Sequence, residues 1–225
     1  MLAVVIFRDR VTYAARCTAA LQAAGLDVVI ADHGTTYPAA LDWLAGLERS
    51  GVPVHYDGDA HAHVLWQRPW FRELAAAGPY IVTDPDVVPS EDCPPDWPDV
   101  LAEALRENPA LERAGLALRI DNLPEHNPAR ADVIGWESQF WERPLLPGFY
   151  AAALDTTLAV HQPLTPATEG HATGRAVRSG FPYTADHLAW HEDPQNLPED
   201  VAWYYARLER RVCRCGAGVS HWAPK

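Results

Sequence analysis

Short apolar runs alternate with amphipathic stretches of helical period through the first 120 residues, and few architectures accept that order. Leu2 to Phe7 contains no polar side chain, as a strand buried on both faces of a parallel sheet requires. Val11 to Ala24 carries Ala14, Cys17, Thr18 and Leu21 on one helical face and stops at Gly25. Asp27 to Ala31 is a second strand, and the polar turn Asp32 to Pro38 leads into a helix lined by Leu41, Leu44 and Leu47 and ended by Gly51. Pro53 to Tyr56 makes a short third strand, followed by a polar loop from Asp57 to His61. Ala62 to Ala77 reads as a helix kinked by Pro69. Pro79 to Thr83 is a fourth strand, Pro98 to Glu107 a helix, and Gly115 to Ile120 a fifth strand. Strands separated by helices of this length predict an α/β fold, with a Rossmann-type, mainly parallel sheet flanked by helices.

The second half differs in texture. Ala129 to Trp141 reads as helical, Phe149 to Val160 as extended, Thr165 to His187 as a polar loop, and Val201 to Val212 as a final amphipathic helix. No repeat or low-complexity linker divides the chain, so residues 1–225 are expected to form a single domain with two functional halves, 1–120 and 121–225.

Charge narrows the function. A formal net charge of −12 repels nucleic acid and anionic membrane, so an anionic ligand needs a divalent cation or a few placed arginines. The four cysteines include no CxxC pair, the apolar run at Leu2 to Phe7 is too short for a signal peptide, and no stretch has the roughly 18 apolar residues of a membrane span. A cytoplasmic protein with reduced thiols is expected.

In open α/β sheets, ligands sit beyond the carboxyl ends of the strands. Arg8-Asp9-Arg10, Asp32-His33-Gly34 and Asp84-Pro85-Asp86 are expected there, with Asp57 in a fourth loop. Side chains two apart on a strand point the same way, so Asp84 and Asp86 at a strand end can share a hard cation such as Mn²⁺ or Mg²⁺. Asp57-Gly58-Asp59 repeats the pattern in a polar turn without the strand. Asp32 can accept from a base N–H or a ribose hydroxyl and Gly34 lets a ligand approach, although an Asx-turn into the helix explains the same residues. His61 and His63 read as surface or packing residues rather than a metallohydrolase site. Of His161, His171, His187 and His191, one can complete a metal shell around Asp84 and Asp86. Glu137 and Asp155 are the candidate general bases. Arg119, Arg175 and Arg178 are candidate anion partners or plain surface charges.

Seven segments in order, VVIFRDR at 4–10, DHGTTYP at 32–38, YIVTDPDVVPSEDCPPDW at 80–97, GLALRIDNLPEH at 115–126, WESQFW at 136–141, LDTTLAVH at 154–161 and RSGFPYTADHLAWH at 178–191, give the chain a resemblance. It resembles small bacterial GT-A glycosyltransferases related to family 2. That resemblance implies a GT-A-like fold, with residues 1–120 as the nucleotide-sugar and metal half and 121–225 as the acceptor side. It implies a metal-dependent, inverting hexosyl- or pentosyltransferase that uses a nucleoside diphosphate sugar and Mn²⁺ or Mg²⁺. The acceptor is a glycan, a lipid-linked molecule or a small molecule, with room for a homo-oligomer or a partner protein. The implied donor-binding set is Phe7, Arg8, Asp32, Gly34, Asp57 and Asp84. The implied metal ligands are Asp84, Asp86 and His187, with His191 second in line. Two features depart from the family pattern: Asp57-Gly58-Asp59 replaces an Asn-x-Gly loop, and no Glu-Asp pair lies between Trp136 and His161. A sugar-phosphate nucleotidyltransferase is the alternative enzyme, but FRDRVTY after the first strand lacks the glycines that hold a triphosphate. A non-catalytic GT-A-like binding module is the alternative outside enzymes.

Overall fold

The computed structural model describes residues 1–58, 62–154, 157–163 and 175–207. Its chain order is β1 (Leu2–Phe7), α1 (Val11–Ala23), β2 (Asp27–Asp32), α2 (Pro38–Arg49), β3 (Val54–Tyr56), a 3-10 segment (Ala62–Gln67), α3 (Pro69–Ala77), β4 (Tyr80–Thr83), β5 (Val87–Pro89), α4 (Trp97–Glu107), β6 (Arg113–Gly115) and β7 (Ala117–Leu118). There follow α5 (Arg130–Glu137), a 3-10 turn (Ser138–Trp141), β8 (Pro144–Leu146), β9 (Phe149–Ala151), β10 (Ala159–His161), β11 (Ala176–Ser179), β12 (Thr184–His187), a 3-10 turn (Leu188–His191) and α6 (Glu199–Arg207).

A nine-stranded sheet runs β3-β2-β1-β4-β10-β6-β11-β9-β8. Its first four strands are parallel, as expected of β/α alternation. β10 enters antiparallel to both β4 and β6, so the sheet is mixed beyond that point. β5, β12 and β7 form a separate three-stranded sheet. Burial on both faces explains the apolar β1. Ala3, Val5 and Phe7 join the core under α1, α2 and α4, while Val4 and Ile6 join the opposite core with Leu65, Phe71 and Ala75. Among the described residues, no helix is long and apolar enough to cross a membrane.

Several elements differ from the sequence expectation for identifiable reasons. Pro69 starts α3 instead of kinking one helix: Arg68 before it is extended (φ −74°, ψ 130°), as a residue preceding proline must be. The strand expected over 115–120 splits between the two sheets at Leu116. Gly115 permits this crossing, because a Cβ there would meet Leu154 Cδ2 at 2.7 Å and Ala159 Cβ at 3.1 Å. The extended stretch 149–160 is two strands, β9 and β10, that lie apart in the sheet. Within 165–187, read as loop, Ala176–Ser179 and Thr184–His187 are strands whose polar residues pair through the backbone. The described part of the final helix begins at Glu199.

His161 lies in β10, fully buried, stacked on Tyr80 (centroids 5.2 Å, 13°) and close to Trp66. Neither ring nitrogen has a hydrogen-bond partner among the described residues. Burial, with the Arg113 charge nearby, pushes its pKa from 6.5 down to about 3. The fold therefore holds His161 neutral, while the unfolded chain protonates it below pH 6.5. Its contribution is complete above pH 6.5 and is lost as the pH falls toward about 3. Each pH unit in that window costs about 1.4 kcal/mol. In thermal melts between pH 7 and 4.5, His161→Phe should lose stability with acid less steeply than the wild type, and parallel curves would refute the assignment.

Candidate functional site

The carboxyl end of β1 sets the site. Asp9 has φ +58°, the one non-glycine residue with positive φ among the described residues. This turn brings its carboxylate under the start of α2, where Oδ1 accepts from the amides of Thr36 (2.6 Å) and Tyr37 (2.8 Å). The Asp9 amide donates to Thr35 Oγ1 at 3.1 Å, and the Thr35 amide donates to Asp32 Oδ1 at 3.1 Å. The Asx-turn anticipated at Asp32 is thus present, and the ends of β1 and β2 are tied together. Phe7 differs from its implied donor-binding role. Its side chain is fully buried against Trp43 (centroids 5.1 Å), as the alternation of a doubly covered strand demands. Arg8 is partly exposed, with Nε 4.0 Å from Asp9 Oδ2.

Asp84-Pro85-Asp86 is a turn between β4 and β5, not the end of a regular strand, so the two carboxylates do not share one strand face. Asp84 is half-buried, whereas Asp86 is only 4% exposed. Arg10 Nη1 donates to Asp86 Oδ2 at 2.6 Å, and His187 Nε2 lies 4.0 Å from the same oxygen. Burial alone would raise the Asp86 pKa, but the Arg10 charge, with a smaller share from His187, holds it below the usual carboxylate range. His187 reaches this place because β12 pairs antiparallel with β5, setting His187 opposite Val87, and because the Leu188 amide donates to Asp86 O at 2.7 Å. Its ring stacks on Trp190 (4.5 Å, 12°). Its Nδ1 is buried without a hydrogen-bond partner among the described residues, and burial lowers its pKa.

Helix α6 closes one side. Asp200 accepts from Thr12 N (2.6 Å) and Thr12 Oγ1 (2.8 Å), capping the start of α1 from 188 residues away. Tyr204 lies over the Arg10 guanidinium at 4.7 Å, with Tyr13 on it at 6.0 Å. Buried Glu192 accepts from Tyr13 (2.5 Å) and Tyr205 (3.0 Å), and burial raises its pKa. Trp203 Nε1 donates to Thr36 Oγ1 at 3.2 Å.

A second polar group lies at the carboxyl ends of β2 and β3. Asp32 is 4% exposed, and burial raises its pKa against the hydrogen bonds from Thr35 and Gly34. Asp57 accepts from Trp70 Nε1 (3.3 Å), pairs with Arg68 Nε (3.0 Å), and lies 3.8 Å from His33 Nε2. Gly34, with φ +87°, completes the Asp32 turn.

Other sequence candidates fall elsewhere. Glu137, expected as a base or a solvated helix residue, is buried, and Arg178 donates to its Oε2 at 2.6 Å. Arg178 also donates to Ala153 O (3.1 Å) and packs on Phe140, so this pair braces the fold internally. Arg119 pairs with Asp121 (2.9 Å) and Arg175 with Glu112 (2.5 Å). His191 is half-buried, with Nε2 unpartnered among the described residues. Asp155, Asp59, His61 and His171 lie outside the described residues, as does the side chain of His63. Among the described residues, no three His, Cys, Asp or Glu side chains form a ready-made metal site. Sequence reading noted Arg10 in a polar cluster without giving it a role, and missed Glu192 and Asp200 altogether. Their partners Tyr13 and Thr12 are about 180 residues away in sequence and leave no local signal.

No protein-family model matches the chain, and no curated protein matches it. Among solved structures, it is similar to the mannosyltransferase PcManGT from Pyrobaculum calidifontis in complex with GDP-Man and Mn²⁺ (14% identity, TM-score 0.48, 92% of this chain and 60% of that one). It is also similar to S. aureus TarS 1–349 (11% identity, TM-score 0.46, 91% and 62%). A third is glucosyl-3-phosphoglycerate synthase from Mycobacterium tuberculosis in complex with phosphoglyceric acid (13% identity, TM-score 0.36, 72% and 56%). The chain therefore spans 56–62% of the length of these three structures.

The Glu137–Arg178 brace is testable by truncation. Arg178→Met strands a buried carboxylate and should cost about 3–5 kcal/mol in urea unfolding. Adding Glu137→Gln should recover much of that loss, and a loss under about 1 kcal/mol for Arg178→Met alone would mean that water reaches Glu137.

Proposed function

We propose that this protein transfers a glycosyl group, a hexosyl or pentosyl unit, from a nucleoside diphosphate sugar to an acceptor hydroxyl. The observation that carries the reading is the meeting of Arg10, Asp86 and His187, from three distant segments, beside the carboxyl ends of parallel β1 and β4. A divalent ion that binds together with a diphosphate draws on one or two protein carboxylates and on the phosphate oxygens, so it needs no complete protein cage. Asp86 and His187, with Asp84 half-buried in the same turn, fit Mn²⁺ or Mg²⁺ in this way: carboxylate oxygens with the imidazole Nε2 that faces Asp86. Bound there, the cation would offset the charge of the departing nucleoside diphosphate.

The chain's own residues do the rest. Asp32, Gly34 and Asp57 border the place we assign to base and ribose, with Arg8 at its rim. The raised Asp32 pKa marks a carboxylate short of solvation, which a base N–H or a ribose hydroxyl would supply. The acceptor, a glycan, a lipid-linked molecule or a small molecule, is assigned to the side built by residues after 121. With Glu137 committed to Arg178, we assign Asp155 as the general base of an inverting transfer.

Calorimetry with UDP, GDP and TDP tests the donor half. At least one should bind in the presence of Mn²⁺, and the binding should weaken on chelation. Asp86→Asn should weaken it by more than the 10–100-fold that loss of an outer-shell partner costs. Absence of binding to all three by the wild type would overturn the proposal.

A further inference from the structure

We infer that Arg10 is a second cation for the donor diphosphate, stored on Asp86 until metal and donor arrive together. The inference rests on the donor reading above and adds a binding residue to it.

Three observations lead there. The first is competition for one oxygen. Asp86 Oδ2 takes the Arg10 guanidinium at 2.6 Å and faces His187 Nε2 at 4.0 Å. A divalent ion shared by Asp86 and His187 would stand against that guanidinium, and two cations on one buried oxygen repel. Metal loading therefore pushes Arg10 off Asp86.

The second is the shortage of other anion donors. Amides at helix starts are the usual phosphate cradle of an α/β sheet. Here the amides of Thr36 and Tyr37 leading into α2 are taken by Asp9, and the Thr12 amide of α1 is taken by Asp200. With these three amides held by carboxylates, a side-chain cation gains weight as a partner for the diphosphate.

The third is the seating of Arg10. Its side chain is 14% exposed, with Tyr204 at 4.7 Å and Tyr13 at 6.0 Å from the guanidinium carbon. Its Nε is buried with no hydrogen-bond partner among the described residues. A planar fork with a spare donor suits two phosphate oxygens, and the aromatic rings can hold its charge while it changes partner. Metal and nucleoside diphosphate then bind with positive coupling, each removing what hinders the other.

Opposed effects in one variant test this. Mn²⁺ affinity is read by electron paramagnetic resonance of the free ion, alone and with UDP or GDP, on the full-length wild type, Arg10→Met and Tyr204→Ala. In the wild type, nucleotide should tighten Mn²⁺ binding within the 5–150-fold range of ordinary couplings. Arg10→Met should bind Mn²⁺ alone about 5-fold or more tighter, bind nucleotide more weakly at saturating Mn²⁺, and lose most of the coupling. Mn²⁺ alone should also raise the Tm of Arg10→Met more than that of the wild type. Tyr204→Ala keeps the ion pair but loosens its seat, so it should shift Mn²⁺ affinity in the same direction by less; it decides the matter if Arg10→Met does not fold. Unchanged or weaker Mn²⁺ binding in both variants, or nucleotide affinity untouched in Arg10→Met, overturns the role of Arg10. If the wild type binds nucleotide with Mn²⁺ in those experiments, the donor reading survives that failure; if it binds none, the donor reading is what fails.

Discussion

A carboxylate buried as deeply as Asp86 cannot keep its charge without a cation in contact, and the structure around the site follows from how that need is met. Arg10 answers it from the end of β1, but only because the backbone reverses at Asp9 in a conformation that few side chains accept. The reversal is held by the Asp9 carboxylate under Thr36 and Tyr37. The first parallel pair, the entry to α2 and the Asp86 turn are therefore linked through two consecutive residues. Helix α6 completes the enclosure: Asp200 fixes the start of α1, and Tyr204 covers the guanidinium.

This arrangement sets an arginine at the carboxyl edge of a chain of net charge −12. Four acidic side chains near the carboxyl edge are held by donors within the fold. Asp9 and Asp200 satisfy helix amides, Asp57 is held by Arg68 and Trp70, and Glu192 by two tyrosine hydroxyls. Each is thereby tied to donors of its own, and none of them competes with Asp86 for Arg10. A chain this acidic can still present Arg10 there, because these four carboxylates already have donors of their own.

The alternation of β1 to β4 with their helices was legible because burial on both faces leaves long apolar runs, and a doubly covered strand shows in one dimension. Asp32 was legible as a strand-end acid for the same reason, and Asp84 and Asp86 as acids near one, although the two lie in a turn between β4 and β5. Three kinds of feature were not. Phe7 was carried into the donor set by its place in a motif, although strand alternation turns its side chain into the core. Glu137 looked like a base because its partner Arg178 is 41 residues away, on a stretch whose polar composition concealed two strands. Arg10 stood in full view, but its function depends on Asp86 and Tyr204, which only the folded chain brings to it. Local pattern reveals which residues reach an edge; the identity of the charge opposite them belongs to topology.

The choice of arginine at position 10 is itself informative. Burial alone would lower the pKa of a basic group here, and only the Asp86 charge and the tyrosines around it reverse that. A lysine could shed its proton whenever Asp86 turned to a metal, leaving a neutral amine with nothing to offer a phosphate. A guanidinium stays charged through such an exchange and keeps a flat face for Tyr204 while its edge moves between a carboxylate and a phosphate. A buried ion pair is weak evidence of stabilisation, since an apolar pair of similar volume often serves the fold as well. What an apolar pair could not do is release a carboxylate to a metal and a cation to a diphosphate in the same movement.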